Sequence, residues 1–375
     1  MSKMKVMTIL GTRPEIIRLS AVIKACDKYF DHILVHTGQN YNYELNDIFF
    51  QELGLRKPDY YLDAVGKNLG ETMGLIISKS YDVIQKEKPE AILILGDTNS
   101  ALAAISAKRL KCPIFHMEAG NRCWDWNVSE MVNRTIVDHI SDINLPYTEH
   151  SRRYLISEGM DGKTIFVTGS PMPEVLAAQM EDIKASKVLE KLGLESRKYI
   201  LVSAHREENI DIESNFMELM DSINAIAEKY QVPVIYSTHP RSKKWIEARK
   251  FKFHPLVRNL VPFGINDYCK LQMNALCVLS DSGTLSEESA ILNFPAVLLR
   301  TSTERPEVLD KGSIIVGGIK SKDVISATEL ALAMFDNHEP YIMASDYHDT
   351  NVSIKVVKLI QSYAKIVNIT TWLKK

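Results

Sequence analysis

Apolar residues in this chain fall into short runs, with longer helically spaced stretches between them. Residues 6–10 form one such run, and a helical pattern over 16–28 follows. A second strand is expected at 33–35, then a helix over 69–86 and a strand over 91–95. Helix 100–110, a strand around Ile114, helix 131–140, strand 143–145, helix 151–158 and strand 165–167 come next. Short strands alternating with helices predict parallel βαβ units. A polar stretch over 179–197, rich in Lys and Glu, interrupts the alternation and is expected to hold a connecting helix. The pattern restarts with strands 199–203, 232–236, 276–279 and 296–299 and helices 215–230, 266–274 and 284–291. An amphipathic helix over 353–367 closes the chain.

Two such α/β blocks joined near mid-chain predict two Rossmann-like domains facing a cleft. A length of 375 residues suits two cores better than one. The hydrophobic and charged fractions, 45% and 25%, are those of an ordinary globular protein. A net charge of −2 supplies no field for nucleic acid or an anionic membrane, and neither partner is expected. The first residues run straight into a strand, so no secretory signal is expected, and no apolar run has membrane-spanning length. The five cysteines are scattered and show no metal-binding spacing. Reduced thiols in the cytoplasm are the expected reading.

Ligands of open parallel sheets bind beyond the carboxyl ends of the strands. Several chemistry-bearing segments stand at such places. Run 91–95 leads into Gly96-Asp97-Thr98-Asn99-Ser100, and run 112–117 leads into Glu118-Ala119-Gly120-Asn121-Arg122. Asp97 reads either as a site carboxylate or as an N-cap for the next helix. Glu118 is a poor cap and fits a site better. His116, two residues before it, reads as a core histidine or as a group that orients the acid, the former being favoured. Glu130 opens a helix with Asn133 and Arg134. The first βα turn, Gly11-Thr12-Arg13-Pro14-Glu15, lacks a dinucleotide fingerprint. Arg13 beside a helix N-terminus reads as a phosphate site or as an ordinary surface arginine. Ser280-Asp281-Ser282-Gly283-Thr284 reads as a second anion site or as simple capping, with Glu287 and Glu288 one turn further on. His205 ends the strand over 199–203, and His239 has a similar placement.

Together these segments resemble the non-hydrolysing UDP-N-acetylglucosamine 2-epimerase family. The matching pieces are Gly11 to Glu15, Gly96-Asp97-Thr98, His116 to Gly120, Glu130 with Asn133-Arg134, Ala204 to Asn209, Asp281-Ser282-Gly283 with Glu287-Glu288, and Thr303 to Glu307. They keep the family's order over nearly the whole chain. The resemblance implies an α/β fold of GT-B type, with two Rossmann-like domains around a UDP-sugar cleft. Residues 1–170 would form the catalytic domain and 171–353 the UDP-binding domain, with the helix over 354–375 packed back on the first. It implies a cytoplasmic homodimer without a metal or other cofactor. It assigns Asp97, Glu118 and Glu130 as catalytic carboxylates and His205 to both catalysis and UDP binding. Arg13, Arg18, Ser282, Gly283, Glu288 and Arg305 would hold the nucleotide, with Arg18 where the family usually has Lys.

Some segments depart from the UDP-GlcNAc pattern. Gly120-Asn121-Arg122-Cys123-Trp124-Asp125 stands for Gly-Leu-Arg-Thr, and Gly169-Ser170-Pro171 for Gly-Asn-Thr. Residues 37–44 replace the usual Gln-His segment, and Ser129-Glu130-Met131 stands for Pro-Glu-Glu. These variants look like the branch that makes UDP-N-acetyl-L-fucosamine from UDP-2-acetamido-2,6-dideoxy-L-talose for capsule or O-antigen. UDP-GlcNAc and UDP-N-acetyl-L-rhamnosamine are the alternative substrates. A GT-B glycosyltransferase and a nucleotide-sugar sensor are the alternatives of other classes.

Overall fold

A computed structural model describes residues 3–38, 47–124, 126, 128, 130–340 and 342–374. The segment 39–44, singled out above, lies outside the described residues, as do Asp125 and Ser129. The chain forms two compact units, Met1–Ala178 with His348–Lys375, and Gln179–Tyr347.

In the first unit, strands β1 (Lys5–Leu10), β2 (Asp31–His36), β3 (Tyr60–Tyr61), β4 (Ala91–Leu95), β5 (Ile114–Met117) and β6 (Ile143–Leu145) form one parallel sheet. Their order is β3-β2-β1-β4-β5-β6. The connecting helices are α1 (Arg13–Tyr29), α2 (Asp47–Glu52), α3 (Leu69–Glu87), α4 (Ala103–Arg109) and α5 (Glu130–Ile140), followed by α6 (Glu149–Ser157) and α7 (Met172–Ala185). Every residue of β4 is buried, which is why the strand reads as an uninterrupted Ala-Ile-Leu-Ile-Leu. The expected strand 165–167 is not a strand. Its residues make a single bridge, Asn144 to Ile165, directly after a 3₁₀ turn at Gly162–Thr164.

The second unit repeats the plan. It contains α8 (Val188–Leu192), β7 (Ile200–Ser203), α9 (Glu207–Ile210), α10 (Glu213–Tyr230), β8 (Val234–Ser237) and α11 (Pro240–Ala248). Then come β9 (Val257–Leu260), α12 (Ile265–Asn274), β10 (Cys277–Ser280), α13 (Thr284–Leu292), β11 (Ala296–Leu298), α14 (Pro306–Asp310), β12 (Ile315–Val316) and α15 (Ser321–Asp336). The sheet order is β12-β11-β10-β7-β8-β9, all parallel. Each sheet is therefore doubly wound, with cores on both faces; in the second unit these centre on Phe216 and Met220 on one side and on Tyr199 and Tyr347 on the other.

The polar stretch 179–197 holds two helical pieces, the end of α7 and α8, instead of one. The final helix, α16 (Val352–Thr370), packs on α1 within the first unit. Ser353 at its head donates its N–H and hydroxyl to the two carboxylate oxygens of Glu174, at 2.9 and 2.5 Å. That bond places the start of α7 with the first unit, so the units part after Ala178 and Tyr347, later and earlier than the expected 170 and 353.

Candidate active site

The sheet order of the first unit reverses direction between β1 and β4. Ligand crevices of doubly wound sheets open at such a point. The segments that follow β1, β4 and β5 carry Arg13, Asp97 and Glu118. The β1 turn is held by Glu15, which is fully buried. Its Oε2 accepts from the Gly11 N–H (3.1 Å), the Thr12 hydroxyl (2.8 Å) and the Thr98 hydroxyl (2.9 Å), and its Oε1 from Ser100 (2.5 Å). Burial pushes the Glu15 carboxyl up, while these four donors pull it back. Glu15 thus ties the loop of Arg13 to the loop of Asp97. Pro14 sits in the first turn of α1, where a missing N–H does no harm. The half-buried Arg13 guanidinium lies 5.8 Å from the Phe49 ring centre.

Glu118 is buried and adopts φ +60°, a left-handed conformation that costs a non-glycine residue about 1–3 kcal/mol. Its Oε2 accepts from Arg18 Nη1, one turn along α1 from Pro14. Its Oε1 accepts from Asn121 Nδ2 at 3.4 Å, and the Ser151 hydroxyl fixes that amide by donating to Asn121 Oδ1 at 2.8 Å. Gly120 makes the turn possible. At φ +77° it lies so close to α6 that a Cβ would stand 2.5 Å from the Ser151 carbonyl oxygen.

Asp97 does not cap the following 3₁₀ turn; Thr98 occupies that position. The Asp97 carboxylate pairs instead with Arg134 Nη2, and Arg134 Nη1 donates to the Glu118 carbonyl at 2.5 Å. Asn133 donates to the Asp97 carbonyl at 3.0 Å. Glu130, half-buried at the head of α5, shares a helix face with Asn133 and Arg134. His116 is fully buried, with Nε2 at 2.7 Å from the Gly96 carbonyl and Nδ1 at 2.9 Å from Asp138 Oδ1. That fits the core reading of His116. Asp138 also accepts from the Gly120 N–H (3.1 Å) and from Arg122 (2.7 Å). Burial would push the Asp138 carboxyl up, but the His116 hydrogen bond and the charges of His116, Arg122 and Arg134 hold it below the ordinary carboxylate value.

In the second unit the sheet order reverses between β7 and β10. His205 follows β7, and Ser282 and Gly283 follow β10. Gly283 is the N-cap residue of α13, and among the described residues no side-chain cap bond is made there. Ser282 shares a hydrogen bond with the Thr284 hydroxyl, 2.8 Å away. The His205 ring stacks on His239 with centroids 5.1 Å apart. Asp281 does not cap α13 either; its carboxylate reaches the loop after β7. Glu288 accepts from Gln272 at 2.5 Å. Arg305 is buried, with Nη2 2.8 Å from Glu287 Oε1, so this side chain braces α13 against the start of α14.

Residues 24–361 match the family model described as UDP-N-acetylglucosamine 2-epimerase. The chain belongs to this family. It is a family of isomerases, and the solved relatives share the whole α/β architecture. The chain is similar to a UDP-N-acetylglucosamine 2-epimerase from Rickettsia bellii, 47% identical, with a TM-score of 0.92 over 99% of this chain and 100% of that one. It is similar to the Methanocaldococcus jannaschii UDP-GlcNAc 2-epimerase solved with UDP-GlcNAc and UDP, 32% identical, with a TM-score of 0.89 over 96% and 99% of the two chains. It is also 34% identical to a UDP-2,3-diacetamido-2,3-dideoxy-D-glucuronate 2-epimerase from Pseudomonas aeruginosa, over 90% of this chain and 96% of that one. Relatives of this epimerase thus work on hexoses with different substituents.

The sequence puts Asp97 and Glu118 at strand ends and Glu130 at a helix start, but it does not show the groups that hold Asp97 and Glu118. Arg134 and Glu15 stood in the quoted motifs without a role, and only the side chains' reach over 37 and 83 positions reveals one. Asn121 was visible only as a departure from a pattern. Among the described residues, no helix is long and apolar enough to cross a membrane.

Proposed function

We propose that this chain is a non-hydrolysing C2 epimerase of a UDP-2-acetamido sugar. The observation that carries the reading is the pair of acids that follow β4 and β5, with Arg134 bonding the Asp97 carboxylate and the Glu118 backbone carbonyl beside the switch point of the sheet. C2 of a pyranose has no adjacent carbonyl, so its proton is not acidic until C1 becomes electron-poor. In the proposed sequence the C1–O bond breaks and UDP leaves with the electron pair. Arg13, His205 and the open end of α13 at Ser282 and Gly283 stabilise the departing diphosphate. Arg18 and Glu288 assist in holding the nucleotide. A carboxylate then takes the C2 proton, giving a 2-acetamidoglycal. A second acid delivers a proton to the opposite face, and UDP re-adds at C1. Two faces require two proton-transfer groups, which Asp97, Glu118 and Glu130 supply. The chemistry needs no redox cofactor.

For the sugar, the pair UDP-2-acetamido-2,6-dideoxy-L-talose and UDP-N-acetyl-L-fucosamine is favoured by Asn121, whose amide contacts Glu118 where the UDP-GlcNAc pattern carries Leu. UDP-GlcNAc is favoured by the names of the relatives in Rickettsia and Methanocaldococcus. We propose a cytoplasmic homodimer, to be checked by sedimentation, and a product that serves capsule or O-antigen assembly.

Incubation with each UDP-sugar in D₂O tests the reading. Deuterium should enter at C2 with the true substrate, and UDP-linked product should persist. Asp97→Asn and Glu118→Gln should each lower exchange by about 100-fold or more. Full-rate exchange in both variants would remove the assignment.

A further inference from the structure

The carboxylate of Asp281 is fully buried at the end of β10, yet it serves another loop. Its Oδ2 accepts from the backbone N–H groups of His205 and Arg206, both at 2.9 Å, and from Asn209 Nδ2 at 3.2 Å. The Asp281 carbonyl accepts from Arg206 Nε at 3.1 Å, and the Asp281 N–H donates to the Ser203 carbonyl at 3.2 Å. The turn that carries His205 is therefore built on this one residue.

The other oxygen, Oδ1, is buried and makes no hydrogen bond among the described residues. It faces His205 Nδ1 at 3.6 Å. A buried carboxylate oxygen without a donor is costly, and a shift of about 0.7 Å would bring this pair to ordinary hydrogen-bond length. Such contacts commonly tighten when ligand binds. The opposing ring, His239, is fixed because its Nδ1 accepts from the Arg241 N–H at 3.2 Å. Among the described residues, the ionisable groups around the pair include Arg206 on the same loop, Glu208 on α9 and Tyr236 on β8, with Arg300 and Glu304 paired in turn to Glu208 and Arg206. Burial pushes Tyr236 and Asp281 up, which keeps the phenol neutral and makes a cationic neighbour valuable to the aspartate.

We propose that Asp281 is a positioning residue that selects the Nδ1–H tautomer of His205 and stabilises its imidazolium, leaving Nε2 to face the diphosphate. This rests on the reading of His205 as a nucleotide ligand. It goes beyond that reading by naming what sets the ring's charge and orientation. An amide at this position would present N–H to the ring and favour the opposite tautomer.

The test uses the full-length protein with ¹⁵N-labelled histidine and Asp281→Asn. Two-bond ¹H–¹⁵N correlation spectra report the tautomer, with His205 assigned by its loss in His205→Gln. The wild type should show Nδ1–H at His205. The variant should show Nε2–H, titrate at lower pH, and bind UDP about tenfold more weakly below pH 7 by calorimetry. An Nε2–H tautomer in the wild type overturns the proposal, and so does a variant with unchanged tautomer and UDP affinity. The wild-type spectrum decides the matter even if the variant does not fold. Wild-type UDP affinity in His205→Gln would instead remove the underlying reading of His205.

Discussion

Arg134 and Asp97 form an ion pair whose cation also carries the backbone of Glu118. One guanidinium therefore ties the Asp97 carboxylate to the backbone of Glu118. Lysine carries its charge on one ammonium at the end of a flexible stem and cannot reproduce the planar fork that spans both acceptors. Arg134→Lys should keep the fold and lower C2 exchange by about 100-fold, as expected when a reacting group is displaced by about 1 Å. Single-turnover exchange in D₂O measures it, with a melting curve to confirm folding.

Asn121 orients Glu118 and is itself oriented by Ser151. At 3.4 Å its bond to the carboxylate is long, so its contribution lies near the lower end of the about 1.5–3 kcal/mol typical of bonds to charged groups. Asn121→Leu should lower the rate of exchange by about tenfold and leave KM nearly unchanged. Ser151→Ala should act in the same direction with a smaller effect. Steady-state kinetics on the best substrate check both.

Asp138 contributes to acid stability. Its folded carboxyl is held below the ordinary value, against burial, by His116, Arg122 and Arg134. The associated stability is fully present above the unfolded carboxylate pKa of about 3.9 and is lost as pH falls through the lower folded value. Asp138→Asn should flatten the stability curve in that window. It should also cost about 1–3 kcal/mol at neutral pH, because Arg122 is left with Glu158 as its carboxylate partner and the His116 ring and the Gly120 N–H lose a charged acceptor. Urea unfolding between pH 3 and pH 7, values set by the carboxylate range, reads both effects.

Arg305 and Glu287 are a buried pair, with side chains 4% and 0% exposed. Arg305→Met takes the guanidinium away from the buried Glu287 carboxylate and should cost about 1–3 kcal/mol. The double variant with Glu287→Gln should recover much of that loss. Urea midpoints for the single and double variants decide it.

Much of this was legible along the chain. Apolar runs such as 91–95 became central strands because a strand buried on both faces needs no polar alternation. Short edge strands were not legible. Tyr60–Tyr61 and Ile315–Val316 are two residues each and are defined by pairing with neighbours, not by their own composition. Basic helix α11 and the 16-residue α15 were likewise missed, and the polar stretch 179–197 concealed a break.

The sequence by itself determined the alternation of strand and helix, the doubly wound class, and which carboxylates stand at strand ends, because these follow from local periodicity and short motifs. Only tertiary structure decided what those carboxylates bond to. Arg18 meets Glu118 across 100 positions, Arg134 meets Asp97 across 37, and Asp281 reaches His205 across 76. Such partners are chosen by sheet order and side-chain reach, and neither is written in the local spacing of residues.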